Sequence, residues 1–202
     1  MGPRLPADQR RRQLLDIACG VFAQNGFHAS AMDDIAAAAG VTKPVLYQHF
    51  ASKRALFVDV LRDVGGRLLA ELATATEAAT TGRERVEAGF RAYFRFVTEN
   101  EAAFRVLFGA AARNDDEFAV VVDQVLDDVA DAISMLIEIE GTQAHRRVLA
   151  HAVIGIAEAT SRDALSGDDN SVEPDVLAGW VAELAWFGLR GVRAEETSSA
   201  TA

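Results

Sequence analysis

The chain contains no proline between Pro44 and Pro174, and this long stretch constrains its fold more than any other feature. Proline breaks helix interiors, whereas alanine has the highest helix propensity, and 38 of the 202 residues are alanine. Half of the residues are hydrophobic, which is enough to bury a core and argues against a mainly disordered chain. We therefore predict an all-α protein.

Several classes of protein are disfavoured by the sequence. No segment approaches the about 18 consecutive apolar residues of a membrane span, and the first twelve residues lack the apolar centre of a signal peptide. We therefore expect a cytoplasmic protein with no membrane contact. The single cysteine, Cys19, excludes an intramolecular disulfide and a multi-cysteine zinc site. Its helical neighbours Leu15 and Phe22 predict a core position for it.

The charge is unevenly distributed, although the net charge is −10. Residues 1–54 carry seven basic and four acidic side chains, so the remainder carries thirteen basic and twenty-six acidic ones. A basic N-terminal part on an acidic body is typical of a protein that contacts a polyanion at one end. Ordinary solubilising charge with a chance asymmetry explains the charges alone equally well.

The N-terminal part begins with an amphipathic helix. Apolar residues recur at helical spacing over Gln13–Ala23, and Asn25-Gly26 is a helix-stop signal. Phe27 follows the stop and is expected to fold back onto the apolar stripe. Ser30 is then expected to cap a second helix through its hydroxyl, as part of a capping box.

Two short helices follow. The second is predicted over Ala31–Ala39 and ends at Gly40. Thr42 can cap a third helix that runs to about His49, since Pro44 is tolerated in a first turn. Two short helices joined by a tight glycine turn, with another helix packed behind, are the parts of a helix-turn-helix. The third helix exposes polar and aromatic side chains, as a nucleic-acid reader does.

These residues also carry a resemblance to a known family. They are Gly26-Phe27, Ser30, Ile35-Ala36, Ala39-Gly40-Val41-Thr42-Lys43-Pro44, Leu46-Tyr47, His49-Phe50, Ser52-Lys53 and Leu56. In this spacing, over roughly Gln9 to Leu61, the chain resembles the DNA-binding segment of the TetR (tetracycline-repressor) family of bacterial transcriptional regulators.

The resemblance implies a dimeric repressor with one recognition helix in each of two major grooves. The DNA-contacting residues that it implies are Ser30, Thr42, Lys43, Pro44, Tyr47, His49 and Lys53. Among these, Tyr47, His49 and Lys53 are expected on phosphates, Lys43 on a guanine and Pro44 on a thymine methyl. The alternative for each is a solvated surface residue.

Two positions depart from the family pattern. Ala31 stands where a hydroxyl residue is common, which removes one phosphate contact, and Arg54 stands where an acid is common. Arg54 adds a positive charge that can replace the lost contact. The arginines Arg10, Arg11 and Arg12 can reach the DNA backbone or minor groove, or can form a frayed basic terminus.

We predict three segments. Residues 9–54 form the DNA-binding domain, with the helix-turn-helix at about 31–50. Residues 55–193 form a larger helical regulatory and dimerisation domain, and residues 194–202 form a disordered tail. No linker separates the first two segments, so the fourth helix, which begins near Ser52, is expected to run from one into the other. Gly65-Gly66 is a candidate bend in it.

The body offers candidate effector contacts. Phe90, Phe94, Phe104 and Phe108 can line a pocket for an apolar or aromatic effector, although plain core packing explains each phenylalanine as well.

The last two predicted helices are apolar on more than one side. They need burial against the body and against a second surface, and a second copy of the chain is the simplest partner. The candidate interface residues are Val153, Ile156, Trp180, Leu184 and Phe187. Burial inside a monomer is the alternative.

An enzyme is disfavoured, since we find no phosphate-binding glycine loop, nucleophile elbow or HExxH pair. His151 and Glu158 can share a helix face, but a polar surface explains them better than a metal site, and no cofactor is expected. We expect a ligand-responsive repressor that binds a palindromic double-stranded DNA operator as a homodimer and is released by a small-molecule effector. A DNA-binding protein without such a ligand, responding to a protein partner, is the other candidate.

Overall fold

The computed structural model describes residues 6–165 and 172–191, and every regular element in these ranges is a helix. The predicted all-α class is therefore confirmed. The predicted tail, residues 194–202, lies outside the described residues. The helices are α1 Ala7–Ala29, α2 Met32–Ala38, α3 Lys43–His49, α4 Lys53–Glu77, α5 Gly82–Glu99, α6 Glu101–Leu107, α7 Ala110–Asn114, α8 Asp116–Leu136, α9 Gln143–Ala164 and α10 Pro174–Gly191.

The described residues group into two compact units. The first contains residues 6–67 and 100–125, and the second contains residues 68–99, 126–165 and 172–191. Helices α4 and α8 therefore each contribute residues to both units. The expected boundary between residues 54 and 55 lies inside the first unit and stays a prediction.

The first unit is built around α1, which contacts α2, α6 and α7. The buried stripe of α1 includes Leu14, Ala18 and Phe22, so the predicted amphipathic helix is confirmed. Cys19 is also buried, as predicted. Phe27 folds back as expected, with its ring 6.0 Å from that of Phe22.

The end of α1 differs from the prediction in one respect. Gly26 has a left-handed φ of 76°, which breaks the regular helix at the predicted stop, but a further turn follows to Ala29. The expected cap is wrong, because Ser30 does not cap α2. Its hydroxyl donates instead to the Gly26 carbonyl at 2.7 Å, and α2 begins after Ala31, whose amide donates to the Asp34 carboxylate at 2.8 Å.

Helix α4 runs without interruption through Gly65-Gly66, the predicted bend. Gly65 is buried where α8 approaches within the first unit, and a Cβ built there would lie 2.4 Å from a γ-carbon of Val125. Gly66 is exposed, with no atom within 4 Å of such a Cβ. The first glycine therefore permits close helix packing, whereas the second does not need to be glycine.

The second unit packs α5 against α9 and α10. Its interior is made of aromatic side chains from α5 and small residues from the other two helices, so that the helices can approach closely. The buried residues include Phe90, Ala92, Tyr93, Phe94, Ala150, Ala157, Ala178, Val181, Ala182 and Ala185. Across the two described ranges, none of the helices is long and apolar enough to cross a membrane.

Candidate nucleic-acid interface

The turn between α2 and α3 is fixed by backbone hydrogen bonds. Gly40 adopts a φ of 62°, the Val41 amide donates to the Ala36 carbonyl at 3.0 Å, and the Gly40 amide donates to the Ala37 carbonyl at 3.1 Å. These two bonds form a Schellman motif, which satisfies the last carbonyls of α2. The turn therefore holds α3 in a defined direction relative to α2, as a helix-turn-helix requires.

One side of α3 is anchored and the other faces solvent. Leu46 of α3 and Ile35 of α2 are both fully buried, and the two helices are in contact. The predicted contact residues of α3 are exposed or, for His49, half-buried. Tyr47 is 44% exposed. Thr42, Lys43, Pro44, Tyr47 and the neighbouring Gln48 are exposed, and His49 is half-buried. The structure thus places Lys43, Pro44, Tyr47 and His49 on α3 and the fifth predicted residue, Thr42, at its N-cap, while the buried Leu46 anchors the helix.

Lys43 lies at the start of α3 and is paired within the helix-turn-helix. Its ammonium donates to the Asp33 carboxylate at 2.9 Å, and both side chains are exposed. This hydrogen bond, and then the Asp33 charge, raise the pKa of Lys43 above its ordinary value. Exposed ion pairs are weak and exchange readily. Lys43 is therefore a protonated donor that can leave Asp33 for an acceptor on DNA.

Lys53, at the start of α4, faces inward. Its ammonium donates to the backbone carbonyls of Phe27 and Ser30 at 2.8 Å each and to that of His28 at 3.3 Å. It also lies 4.5 Å from the centre of the Phe27 ring. An ammonium has three N–H donors, so these carbonyls occupy all of them. Lys53 thereby ties the start of α4 to the last turn of α1 and to Ser30, and a phosphate contact would require it to release a carbonyl.

Ser30 and the N-terminal arginines are also used internally. Ser30 is 3% exposed, so little of its side chain reaches solvent. Arg11 forms an ion pair with Asp59 at 2.8 Å and stacks over the Phe50 ring at 4.9 Å. Arg10 donates to Gln13 at 2.9 Å. Arg12 is exposed. The expected roles of these residues on DNA stay predictions.

Arg54 has a partner that the sequence did not indicate. Both of its terminal nitrogens donate to one carboxylate oxygen of Asp115, at 2.9 and 2.8 Å. Asp115 is 61 positions away in sequence, so no local pattern could have predicted this pair. A phosphate contact by Arg54 would therefore require its guanidinium to release Asp115.

The four phenylalanines proposed for an effector pocket fall into two pairs. Phe90 and Phe94 lie in the second unit with ring centres 6.3 Å apart, whereas Phe104 and Phe108 lie in the first unit, 4.9 Å apart. All four are buried. Their joint role in a pocket stays a prediction.

The second unit also holds two polar atoms that the sequence did not single out. The hydroxyls of Tyr93 and Ser161 are buried, and neither has a hydrogen-bond partner of ordinary geometry in the structure. Burial raises the pKa of Tyr93 above its ordinary value, and the facing Ser161 partly opposes this shift. A separate groove of about 360 Å³ between α5 and α10 is rimmed by charges of both signs, including Arg83, Arg91 and Glu183, and does not suit an apolar ligand.

Helix α10 presents two apolar faces. Ala178, Val181, Ala182 and Ala185 are buried within the second unit. Three larger side chains at helical spacing on another face are exposed in this single chain: Trp180 is 60%, Leu184 63% and Phe187 61% exposed. Val153 and Ile156 of α9 are half-buried. Large apolar side chains exposed in a row are typical of an interface.

Comparison with known proteins identifies the family. Residues 14–60 match the model for bacterial regulatory proteins of the tetR family, and residues 82–188 match the tetracyclin repressor-like C-terminal domain. The chain is 36% identical over 193 residues to the HTH-type transcriptional activator FasR of Mycolicibacterium smegmatis. The aligned region covers 95% of this chain and 88% of that protein.

Solved structures agree with this match. A TetR-like transcriptional regulator from Rhodococcus sp. RHA1 superposes with a TM-score of 0.76 at 32% identity, over 94% of this chain and 100% of that one. The regulator FadR from Bacillus subtilis in complex with stearoyl-CoA gives 0.75 at 19% identity, over 90% and 99%, which shows a shared fold. The chain therefore belongs to the TetR family of DNA-binding transcriptional regulators, which are transcription factors and not enzymes.

Proposed function

We propose that this chain is a homodimeric cytoplasmic repressor that binds a palindromic operator through α3 and is released by a small-molecule effector. The observation that supports the DNA-reading role most strongly is the exposed polar and aromatic face of α3 on a rigid glycine turn. A helix of this kind fits the major groove, where base edges present distinct donor and acceptor patterns.

Within α3, the residues divide by reach and chemistry. Lys43 carries an ammonium at the N-terminal end of the helix, where recognition helices meet base edges, and guanine offers it two acceptors. Thr42 and Pro44 lie beside it and can contact a base edge or a thymine methyl. Tyr47 and His49 bind phosphates, which fixes the register of the helix without reading sequence. We do not include Ser30, because its hydroxyl is buried.

Dimerisation is supported by the exposed apolar row on α10. Burial of a large apolar side chain contributes about 1.5–3 kcal/mol, so covering Trp180, Leu184 and Phe187 on both copies stabilises association strongly. A two-fold dimer also supplies the paired reading helices that a palindromic site needs. Val153 and Ile156 of α9 complete the proposed interface.

Dimerisation has a direct test. Trp180→Asp places a charge in the row and is expected to give a monomer by light scattering, with weaker duplex binding. Met135→Asp is the matched control, because Met135 is 76% exposed but lies on α8; it should remain a dimer. A Trp180→Asp protein that stays dimeric would contradict this interface.

For the effector, we propose a long-chain acyl-coenzyme A. FadR of Bacillus subtilis, which shares the fold over 90% of this chain, has been solved with stearoyl-CoA. The aromatic interior of the second unit suits an acyl chain, since apolar side chains line most ligand sites. The effector acts only if it binds the DNA-competent and incompetent states with different affinity. Stearoyl-CoA added to a preformed complex should therefore lower duplex binding, whereas coenzyme A alone should not.

Transcriptional activation is the second candidate. The relative FasR, 36% identical over 95% of this chain, is named an activator. In vitro transcription from a promoter that carries the bound site distinguishes the two directions. Repression predicts less transcript as the protein is added, and activation predicts more.

The experiment for the DNA-reading role starts from selection. The purified dimer selects duplexes from a randomised pool, and the recovered consensus is then titrated at a fixed salt concentration. Tyr47→Ala and Lys43→Ala should each weaken binding while the protein remains dimeric. Recovery of no consensus, or unchanged binding by both variants, would contradict the proposed reading face.

A further inference from the structure

The start of α4 is joined to the corner between α7 and α8 by one arginine. Arg54 donates twice to Asp115, and its Nε lies 3.2 Å from a carboxylate oxygen of Glu117. The pair is only partly open to water, since the Asp115 side chain is 21% exposed. A guanidinium held by two carboxylates has a defined position as well as a neutralised charge.

Asp115 also forms part of the α8 terminus. Its second carboxylate oxygen accepts from the amides of Glu117 and Phe118 at 3.2 and 3.4 Å, at the start of that helix. One carboxylate therefore caps α8 with one oxygen and binds Arg54 with the other. The direction of the first turn of α8 is thus tied to the first turn of α4.

A cation–π contact adds a second attachment. The guanidinium carbon of Arg54 lies over the fully buried Phe118 ring, 4.6 Å from its centre. Phe118 in turn meets Phe27, at the end of α1, with ring centres 4.8 Å apart, and Phe57 of α4 at 4.6 Å. Helices α1 and α4, which flank the helix-turn-helix, therefore both contact the start of α8, to which Arg54 also binds.

From this arrangement we propose that Arg54 is a positioning residue for operator binding, which holds the reading head on the α7–α8 corner through Asp115 and does not itself contact DNA. Without this pair the helix-turn-helix samples more orientations, so a smaller fraction of dimers presents both α3 helices in the binding geometry. The apparent affinity for the operator is the intrinsic affinity multiplied by this fraction, so it falls in proportion. This inference rests on the DNA binding proposed above.

Asp115→Asn separates the two possible roles of Arg54. The amide keeps a capping oxygen for α8 but loses the charge that holds the guanidinium. A positioning role predicts duplex binding weakened by about tenfold. A phosphate contact predicts equal or tighter binding, because the variant frees Arg54 and removes a nearby negative charge.

The full test measures the selected duplex by anisotropy at several salt concentrations for the wild type, Arg54→Gln, Asp115→Asn and the double variant. We expect the double variant to be no weaker than either single variant, and the slope of log K against log salt to stay that of the wild type. Losses that add, or a slope reduced by about 0.9 for each phosphate lost, would overturn the proposal. Unchanged affinity with a lower melting temperature would overturn it too, since Arg54 would then only stabilise the fold.

Arg105→Gln is the matched control. Arg105 is a partly exposed arginine of the same unit, paired with Glu101 within α6, and its loss changes the net charge by the same amount. Its duplex affinity should equal that of the wild type, and a matching tenfold loss would overturn the specific role of Arg54. A wild type that binds no duplex would instead contradict the proposed function itself.

Discussion

The adjacent glycines of α4 allow one prediction to be worked out in detail. Alanine at either position gains helix propensity of about 0.5–1 kcal/mol relative to glycine. At Gly66 nothing lies within 4 Å of the new Cβ, so Gly66→Ala should stabilise the protein by about that amount.

At Gly65 the same gain meets a steric clash. The new Cβ would lie 2.4 and 2.8 Å from the two γ-carbons of Val125, a short and buried side chain. Since carbon atoms prefer a separation of about 3.5–4.0 Å, α4 and α8 must separate by roughly 1 Å. Overpacking of this kind costs about 1–3 kcal/mol. The propensity gain is common to both variants, so their difference in free energy of unfolding isolates the clash.

Urea denaturation followed by circular dichroism measures this difference, with all proteins at one concentration because a dimer's stability depends on it. Gly65→Ala should be about 1–3 kcal/mol less stable than Gly66→Ala, and Val125→Ala should reduce that gap in the double variant. Equal stabilisation by both alanines would refute the close approach of α4 and α8.

Three further predictions concern single side chains. Burial raises the pKa of Cys19 to about 11, with Arg67 opposing the shift. An unfolded thiol ionises near pH 8.5, so above this pH the unfolded state loses the thiol proton before the folded state does. The contribution of the protonated thiol to the free energy of unfolding is therefore complete below about pH 8.5 and falls as the pH rises towards 11. Unfolding titrations should show the wild type losing about 1 kcal/mol more than Cys19→Ala by about pH 9.5, and parallel curves would contradict this. Lys53→Met removes the donor to three carbonyls and should lower the free energy of unfolding by about 2 kcal/mol. Arg62→Met, at an exposed position on the same helix, is the control and should change this free energy by less than about 0.5 kcal/mol. Equal losses would refute the inward role of Lys53. Tyr93→Phe deletes a buried hydroxyl whose contact with Ser161 falls short of ordinary hydrogen-bond geometry, so it should change the free energy of unfolding by less than about 1 kcal/mol; a larger loss would show that this contact is a full hydrogen bond.

Local signals explain why much of the fold was predictable. Gly26, Gly40 and the Thr42-Lys43-Pro44 segment end or begin helices through backbone conformation alone, so the sequence locates these boundaries to within a few residues. The exposed side of α3 also follows from helical spacing, once Leu46 is assigned to the core.

Contacts between distant residues were not predictable. Lys53 and Arg54 are adjacent cations that suggest a phosphate site in the sequence, yet their partners lie 23 to 63 positions away. The prediction that Ser30 caps α2 was wrong because its hydroxyl donates to the Gly26 carbonyl, at the kink in α1. The four phenylalanines, from α5 to the C-cap of α6, form one group in sequence, but the chain passes from one unit to the other between Glu99 and Asn100.

The central claim is that α3 reads DNA sequence as part of a dimer. The most direct measurement is an anisotropy titration of the full-length protein against its selected duplex and a shuffled duplex of equal composition, at one defined salt concentration. We predict saturation at two protomers per site and an affinity at least about 10³ tighter than for the shuffled duplex. Equal, weak and strongly salt-dependent binding to both duplexes would contradict the claim.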